Sequence, residues 1–410
     1  LFEMAFGIDY WVCIIIMAVI TGVYVIVGGY MATAWNDFIQ GIIMLFGIVA
    51  VVVAVVLNFG GLSAALGELS HTTANGIDGA YVSFFGPDLY GLIMVVILTS
   101  LGTWGLPQMV QKYYAIKDEG SIKKGMIIST LFALIVAGGC YFLGGFGRLL
   151  GGDYSGNYDA IVPALISDLS PVLIALVLVL VVAASMSTLA SLVMSSSSTI
   201  TLDLIKGVRK KETSNRSQML MIRIFIAVFI VISAVIAIVY EEFKVSFIAQ
   251  MMGVSWGALA GAFLAPYLFS LYWKKTSRTA CYVCFAFGVV MSLAALIISF
   301  FSGSLPEAFA QSFIYRYVFS SSIYVGVWTM IAGFVIVPVV SLFTAAPPKP
   351  LLDELFDPIR LLAERSERLA DSLLADGGGS VKILHAENGE DIGSAETIDD
   401  GDGEDKRSPQ

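Results

Sequence analysis

Near the middle of this 410-residue chain, hydroxylated residues recur at every fourth position: Ser187, Ser191, Ser195 and Thr199. On a helix that spacing puts all four on one face, and Thr188 adjoins it. A row of hydroxyl oxygens suits a hard cation such as sodium, which takes oxygen ligands and needs no carboxylate if backbone carbonyls help. The same row also serves as a packing seam, because small hydroxylated residues let helices approach closely and bond back to their own backbone. Residue types alone leave both uses open, and the seam is the commoner one.

Two other places carry polar or helix-breaking residues inside apolar sequence. Gly102, Gly105 and Pro107 interrupt an apolar stretch. A helix broken there frees backbone groups, which a membrane tolerates only where they line a cavity or find neighbours. Asp37 stands in the run Trp35–Asn36–Asp37 ahead of another apolar stretch. Its simplest role is an N-terminal helix cap. Gly253, Gly257 and Gly261 form a doubled GxxxG, which predicts a close-packing face. Cys281 and Cys284 form a CxxC with no second pair or histidine nearby to complete four metal ligands. The two histidines, His71 and His385, are too few for a zinc site or a His-based triad, and with no catalytic constellation in the sequence the expectation is a non-enzyme.

The elements that must position these residues are membrane helices. Hydrophobic residues make up 57% of the chain and charged ones 13%, a surplus that one water-soluble core cannot hide. Nine stretches are long and apolar enough to cross a bilayer: about 10–30, 38–57, 89–110, 125–146, 172–200, 218–240, 245–273, 279–301 and 317–344. The sixth contains one charge, Arg223, which can snorkel to the interface. The expected fold class is therefore all-α and polytopic. The net charge of −9 is confined to one end. Residues 1–345 hold 16 basic and 16 acidic side chains, whereas residues 346–410 hold 7 and 16. The expected organisation is a transmembrane domain over 1–345 and an acidic tail over 346–410, largely disordered apart from a short amphipathic helix over 359–374.

Loops after the first, third, fifth and seventh stretches carry 13 Lys and Arg when Arg223 is counted with the loop before it; the opposite set carries Arg148, Lys244 and Arg316. The positive-inside rule makes the first set cytoplasmic, with the N-terminus outside and the tail inside. The expected location is the plasma membrane, with the C-terminus cytoplasmic. The outer loop over 147–170 contains an apolar run, Ala160–Ile166, that reads as a short interfacial helix.

These pieces, in order, resemble the sodium:solute symporter family. The resemblance is carried by Leu1–Gly7 with Gly28–Gln40, by Gly102–Lys117, by Ala183–Ser191 running on to Thr201–Leu204, and by the run from Val254 to Phe263. It implies a fold of two inverted five-helix repeats, of which this chain carries part. It implies sodium as coupling ion, with no organic cofactor, held by the Ala184 carbonyl, Ser187 and Thr188. Asp37 matches a family acid tied to sodium handling and, with Ser191, would form a second sodium or sodium-release site; Ala190 stands where some two-sodium members place a hydroxyl. Thr99, Thr103, Trp104 and Pro107 would line the solute pocket. Proline carriers place aromatics where Thr99 and Thr103 stand.

The implied activity is sodium-coupled symport of a small organic solute, an amino acid such as proline or a carboxylate such as pantothenate. Partners would be the solute and the lipid bilayer, without nucleic acid or an obligatory protein. Family members start several spans earlier, at helices that supply the remaining sodium ligands, so the expectation is that residues 1–410 alone do not transport. The alternatives are a non-transporting membrane sensor on the same scaffold and an inactive fragment.

Overall fold

The computed structural model describes residues 6–74, 76–114, 116, 118–150, 158–205, 208, 214–243, 248–301 and 305–357. The elements are α1 (Tyr10–Asn58), α2 (Leu62–Ser70), a hairpin of β1 (Thr73–Ala74) and β2 (Ile77–Asp78), α3 (Leu89–Ser100), α4 (Pro107–Tyr113), α5 (Glu119–Phe146), α6 (Ile161–Ile166), α7 (Pro171–Ser198), α8 (Asn215–Phe243), α9 (Ile248–Tyr272), α10 (Arg278–Phe300), α11 (Glu307–Ala310) and α12 (Ser322–Phe343). The two short strands pair antiparallel, Thr73 opposite Asp78. Among the described residues seven helices are long and apolar enough to cross a membrane, and α3 with α4 passes the same test as a pair bent by 52°. The protein is a multi-pass membrane protein. Residues 348–410 form a separate unit, helical over 349–357. The expected amphipathic helix at 359–374 lies outside the described residues.

The first two predicted spans fall within α1, whose 49 residues would reach about 74 Å if straight. They do not run straight. Gly29 adopts φ 62°, ψ −162°, a region open essentially to glycine alone. The packing shows the consequence. The Tyr24 hydroxyl donates to the Met186 carbonyl at 3.0 Å, and Asp37 lies beside Ser187. Thirteen residues of straight helix would separate these positions by about 20 Å, yet their partners on α7 are adjacent. The chain therefore turns at Gly29, and both halves of α1 pack on α7. This corrects the reading of Asp37 as a cap. The second half is helical from Tyr30, so Asp37 lies two turns inside it, and the turn is made by a glycine.

Apolar burial divides into two neighbourhoods. In one, Val51, Val55, Phe146, Ile166 and Val177 join α1, α5, α6 and α7, and Val25, Ala190, Val193 and Ile226 join α1, α7 and α8. The expected interfacial helix is present as α6, but Leu165 and Ile166 are buried in this core rather than turned to an interface. In the other, Met94, Leu98, Leu264, Val327 and Met330 join α3, α9 and α12.

The doubled GxxxG does what its spacing predicts. A Cβ on Gly257 would come within 2.6 Å of the Gly326 Cα, and one on Gly261 within 2.4 Å of the Thr329 Cγ2. The α9 and α12 backbones are in direct contact, an approach that only hydrogen-for-methyl positions permit. Cys284 belongs to this packing: it is fully buried, and its thiol donates to the Gly261 carbonyl at 3.5 Å.

Candidate functional site

The break predicted at Gly102–Pro107 is present. α3 ends at Ser100, residues Gly102–Gly105 form a tighter 3-10 turn, and Pro107 starts α4, where its missing N–H costs nothing. The turn is held from outside: a Cβ on Gly105 would sit 2.8 Å from the Leu264 backbone. The residues expected to line a solute pocket sit around this break. The Thr99 hydroxyl donates to the Val95 carbonyl at 2.8 Å and the Thr103 hydroxyl to the Ser100 carbonyl at 3.3 Å, so both are turned to their own helix. Trp104 is 53% exposed. None of Thr99, Thr103, Trp104 and Pro107 lines either of the two cavities described below.

The hydroxyl face of α7 divides along its length. Ala184 and Ser187 are partly buried, while Thr188, one residue on, is exposed. Ser191, Ser195 and Ser198 open onto a cavity of about 700 Å³. α7 then widens into a π-helix over Thr199–Ile205, and Thr199 accepts a 3.2 Å hydrogen bond from the Gln111 amide of α4. Wide turns of this kind recur at functional sites. The hydroxyl row is therefore not purely a seam; its middle faces open space.

That cavity is walled by the turn at Gly28–Gly29, by α4, by α7 and by α8. Asp37 projects into it. One of its oxygens, Oδ1, is buried without a hydrogen-bond partner among the described residues, while Ser187 lies beside the carboxylate and Lys112 acts on it electrostatically. A buried carboxylate oxygen with no donor is costly, and such a group calls for a cation, a water or a ligand proton. Asp37 and Ser191 both line this cavity, and Ser187 lies beside Asp37; Ala184, Ser187 and Thr188 themselves do not line it. A second cavity, about 420 Å³, lies between α1 and α7, and Gln40, 6% exposed with Oε1 unpartnered among the described residues, faces it.

Sequence reasoning missed Lys112, Arg223, Gln108 and Gln111, which also line the larger cavity. Arg223 is exposed and borders this cavity. A signal was available, because it is the only charge within any of the nine apolar stretches, and an intramembrane charge usually faces a cavity.

Comparison with known proteins agrees with this architecture. The chain is 26% identical over 281 residues to a sodium/pantothenate symporter of Haemophilus influenzae, covering 68% of this chain and 56% of that protein. It is 25% identical over 357 residues to an osmoregulated proline transporter of Bacillus subtilis, covering 85% and 66%, and 26% identical over 291 residues to the sodium/proline symporter of Escherichia coli, covering 68% and 55%. The chain thus spans between about half and two thirds of the length of these relatives. Among solved structures, a sodium-coupled sialic acid symporter in a substrate-bound, outward-open state superposes with a TM-score of 0.61 at 20% identity, over 84% of this chain and 69% of that one, which shows a shared fold. The model of the sodium:solute symporter family matches residues 1–288, and the chain belongs to that family.

Proposed function

We propose that this chain forms the sodium-handling part of a sodium-coupled symporter for a small organic solute, working by alternating access. The observation that carries the reading is Asp37: a carboxylate beside Ser187, with a buried unpartnered oxygen, facing a cavity that Ser191 also lines. Family membership supplies sodium as the coupling ion. On this reading the Ala184 carbonyl, Ser187 and Thr188 hold the main sodium ion. Asp37 with Ser191 forms a second or exit site. The exposure of Thr188 leaves room for further ligands. The solute pocket forms at the break of α3 and α4, around Thr99, Thr103, Trp104 and Pro107.

The turn at Gly29 supports counting α1 as two crossings, and hence nine in all, with the basic loops and the tail cytoplasmic. One sodium ion driven through 100 mV supplies about 2.3 kcal/mol, enough for roughly 50-fold accumulation of solute. No covalent chemistry on the solute is required. Relatives named as proline and pantothenate symporters favour a solute bearing a carboxylate. The test is radiolabelled solute uptake by the protein expressed from its complete reading frame, titrated with sodium. Ser187→Ala with Thr188→Ala is expected to raise the half-saturating sodium concentration about tenfold or more. Uptake indifferent to sodium would overturn the reading.

A further inference from the structure

The larger cavity carries more positive charge than its proposed sodium-handling residues explain. Lys112 from α4 and Arg223 from α8 both line it, against a single acid, Asp37. Both are exposed side chains, and two cations to one acid leave the lining net positive. The rest of the wall is mixed, with Gln108, Gln111, Ser191, Ser195 and Ser198 supplying polar groups. Met194, Met219, Ile222, Ile226 and Val25 present an apolar surface. At about 700 Å³ the space is the size of a small-molecule site, and mostly apolar walls with a few convergent polar groups are the usual make-up of one.

We infer that this cavity binds a small organic monocarboxylate with an apolar body. Its carboxylate would accept hydrogen bonds from Lys112 and Arg223, and its hydrocarbon part would pack on the methionines and isoleucines of α7 and α8. A single negative charge brings the lining to neutrality, which a zwitterion or a cation does not. This site is separate from the solute pocket proposed at the α3–α4 break, whose residues do not line the cavity. Asp37 opposes the ligand, because its carboxylate repels the incoming one. Binding here therefore responds to whatever neutralises Asp37.

The experiment is calorimetric titration of 4-methylpentanoate into the protein held in nanodiscs of phosphatidylcholine, in choline buffer without sodium. Its outcome then does not depend on sodium coupling. Saturable binding is expected for the acid and none for 4-methylpentanamide, its uncharged analogue, nor for empty nanodiscs. Lys112→Gln and Arg223→Gln are each expected to weaken binding about fivefold, with Lys112→Arg and Arg223→Lys retaining it. Asp37→Asn is expected to tighten binding by a similar factor, a gain that damage to the fold does not produce. The inference is overturned if the acid does not bind, if the amide binds as well as the acid, or if either glutamine variant, melting at the wild-type temperature, leaves the affinity unchanged. A failed sodium-dependent uptake assay together with intact carboxylate binding would sink the symport reading and leave this one standing.

Discussion

Tyr24 donates its phenolic hydrogen to the carbonyl of Met186 at 3.0 Å. That bond ties the first half of α1 to the stretch of α7 that also carries Ser187, and Ser187 lies beside Asp37 from the second half. A turn in one helix is thereby fastened to the face proposed to hold sodium. The two halves of α1 are not independent spans that happen to be neighbours in sequence; both meet one segment of α7.

The turn itself is the weak point for substitution. Gly29 sits at φ 62°, ψ −162°, and an alanine there pays a strain cost of about 1–3 kcal/mol. Gly29→Ala is expected to lower the melting temperature of the purified protein. Tyr24→Phe, which removes one hydrogen bond, is expected to cost about 1 kcal/mol. An unchanged melting temperature for Gly29→Ala would show that the turn is made in some other way.

The α9–α12 seam offers a sharper contrast. Gly257→Val drives a side chain into the Gly326 backbone and is expected to cost about 3 kcal/mol or more, with loss of folded protein on detergent extraction. Gly144→Ala is the control, because a Cβ there meets nothing within 4 Å. It is expected to be neutral, or to stabilise by about 0.5–1 kcal/mol through the unfolded chain. Equal losses for the two variants would refute the close-contact account.

Sidedness is open to chemical labelling. In a background with Cys13, Cys140, Cys281 and Cys284 replaced, Phe84→Cys on the loop before α3 should react with a membrane-impermeant maleimide added to whole cells. Phe84 is 91% exposed, so access at that position is not blocked by the fold. Lys275→Cys, on the exposed α9–α10 loop, should react only after permeabilisation. The reverse pattern would invert the orientation drawn from the basic loops.

Much of this arrangement can be read from local chemistry. The break at Gly102–Pro107 is legible because glycine and proline limit the backbone wherever they stand, and the α9–α12 contact because GxxxG leaves a groove on one helix face. Asp37 was misleading for the same local reason. A carboxylate before an apolar run looks like a cap, and only the packing on α7 shows that the helix had already begun at Tyr30. The cavity was not legible. Gly29, Lys112, Ser191 and Arg223 are far apart in sequence, and no periodicity links them. Their meeting is a product of how α1, α4, α7 and α8 pack, which residue spacing within one helix does not encode.

The central claim is that sodium is held on α7 and drives solute entry. The most direct measurement is initial uptake of radiolabelled proline and pantothenate by proteoliposomes carrying the protein from its complete reading frame, with sodium or choline outside and the membrane potential clamped. At least one solute should enter only with sodium. Asp37→Asn and the Ser187→Ala, Thr188→Ala pair should each shift the sodium dependence to higher concentration, while the solute concentration for half-maximal uptake at saturating sodium changes little. Uptake at equal rates in choline, or a sodium dependence that both variants leave unmoved, would contradict the account.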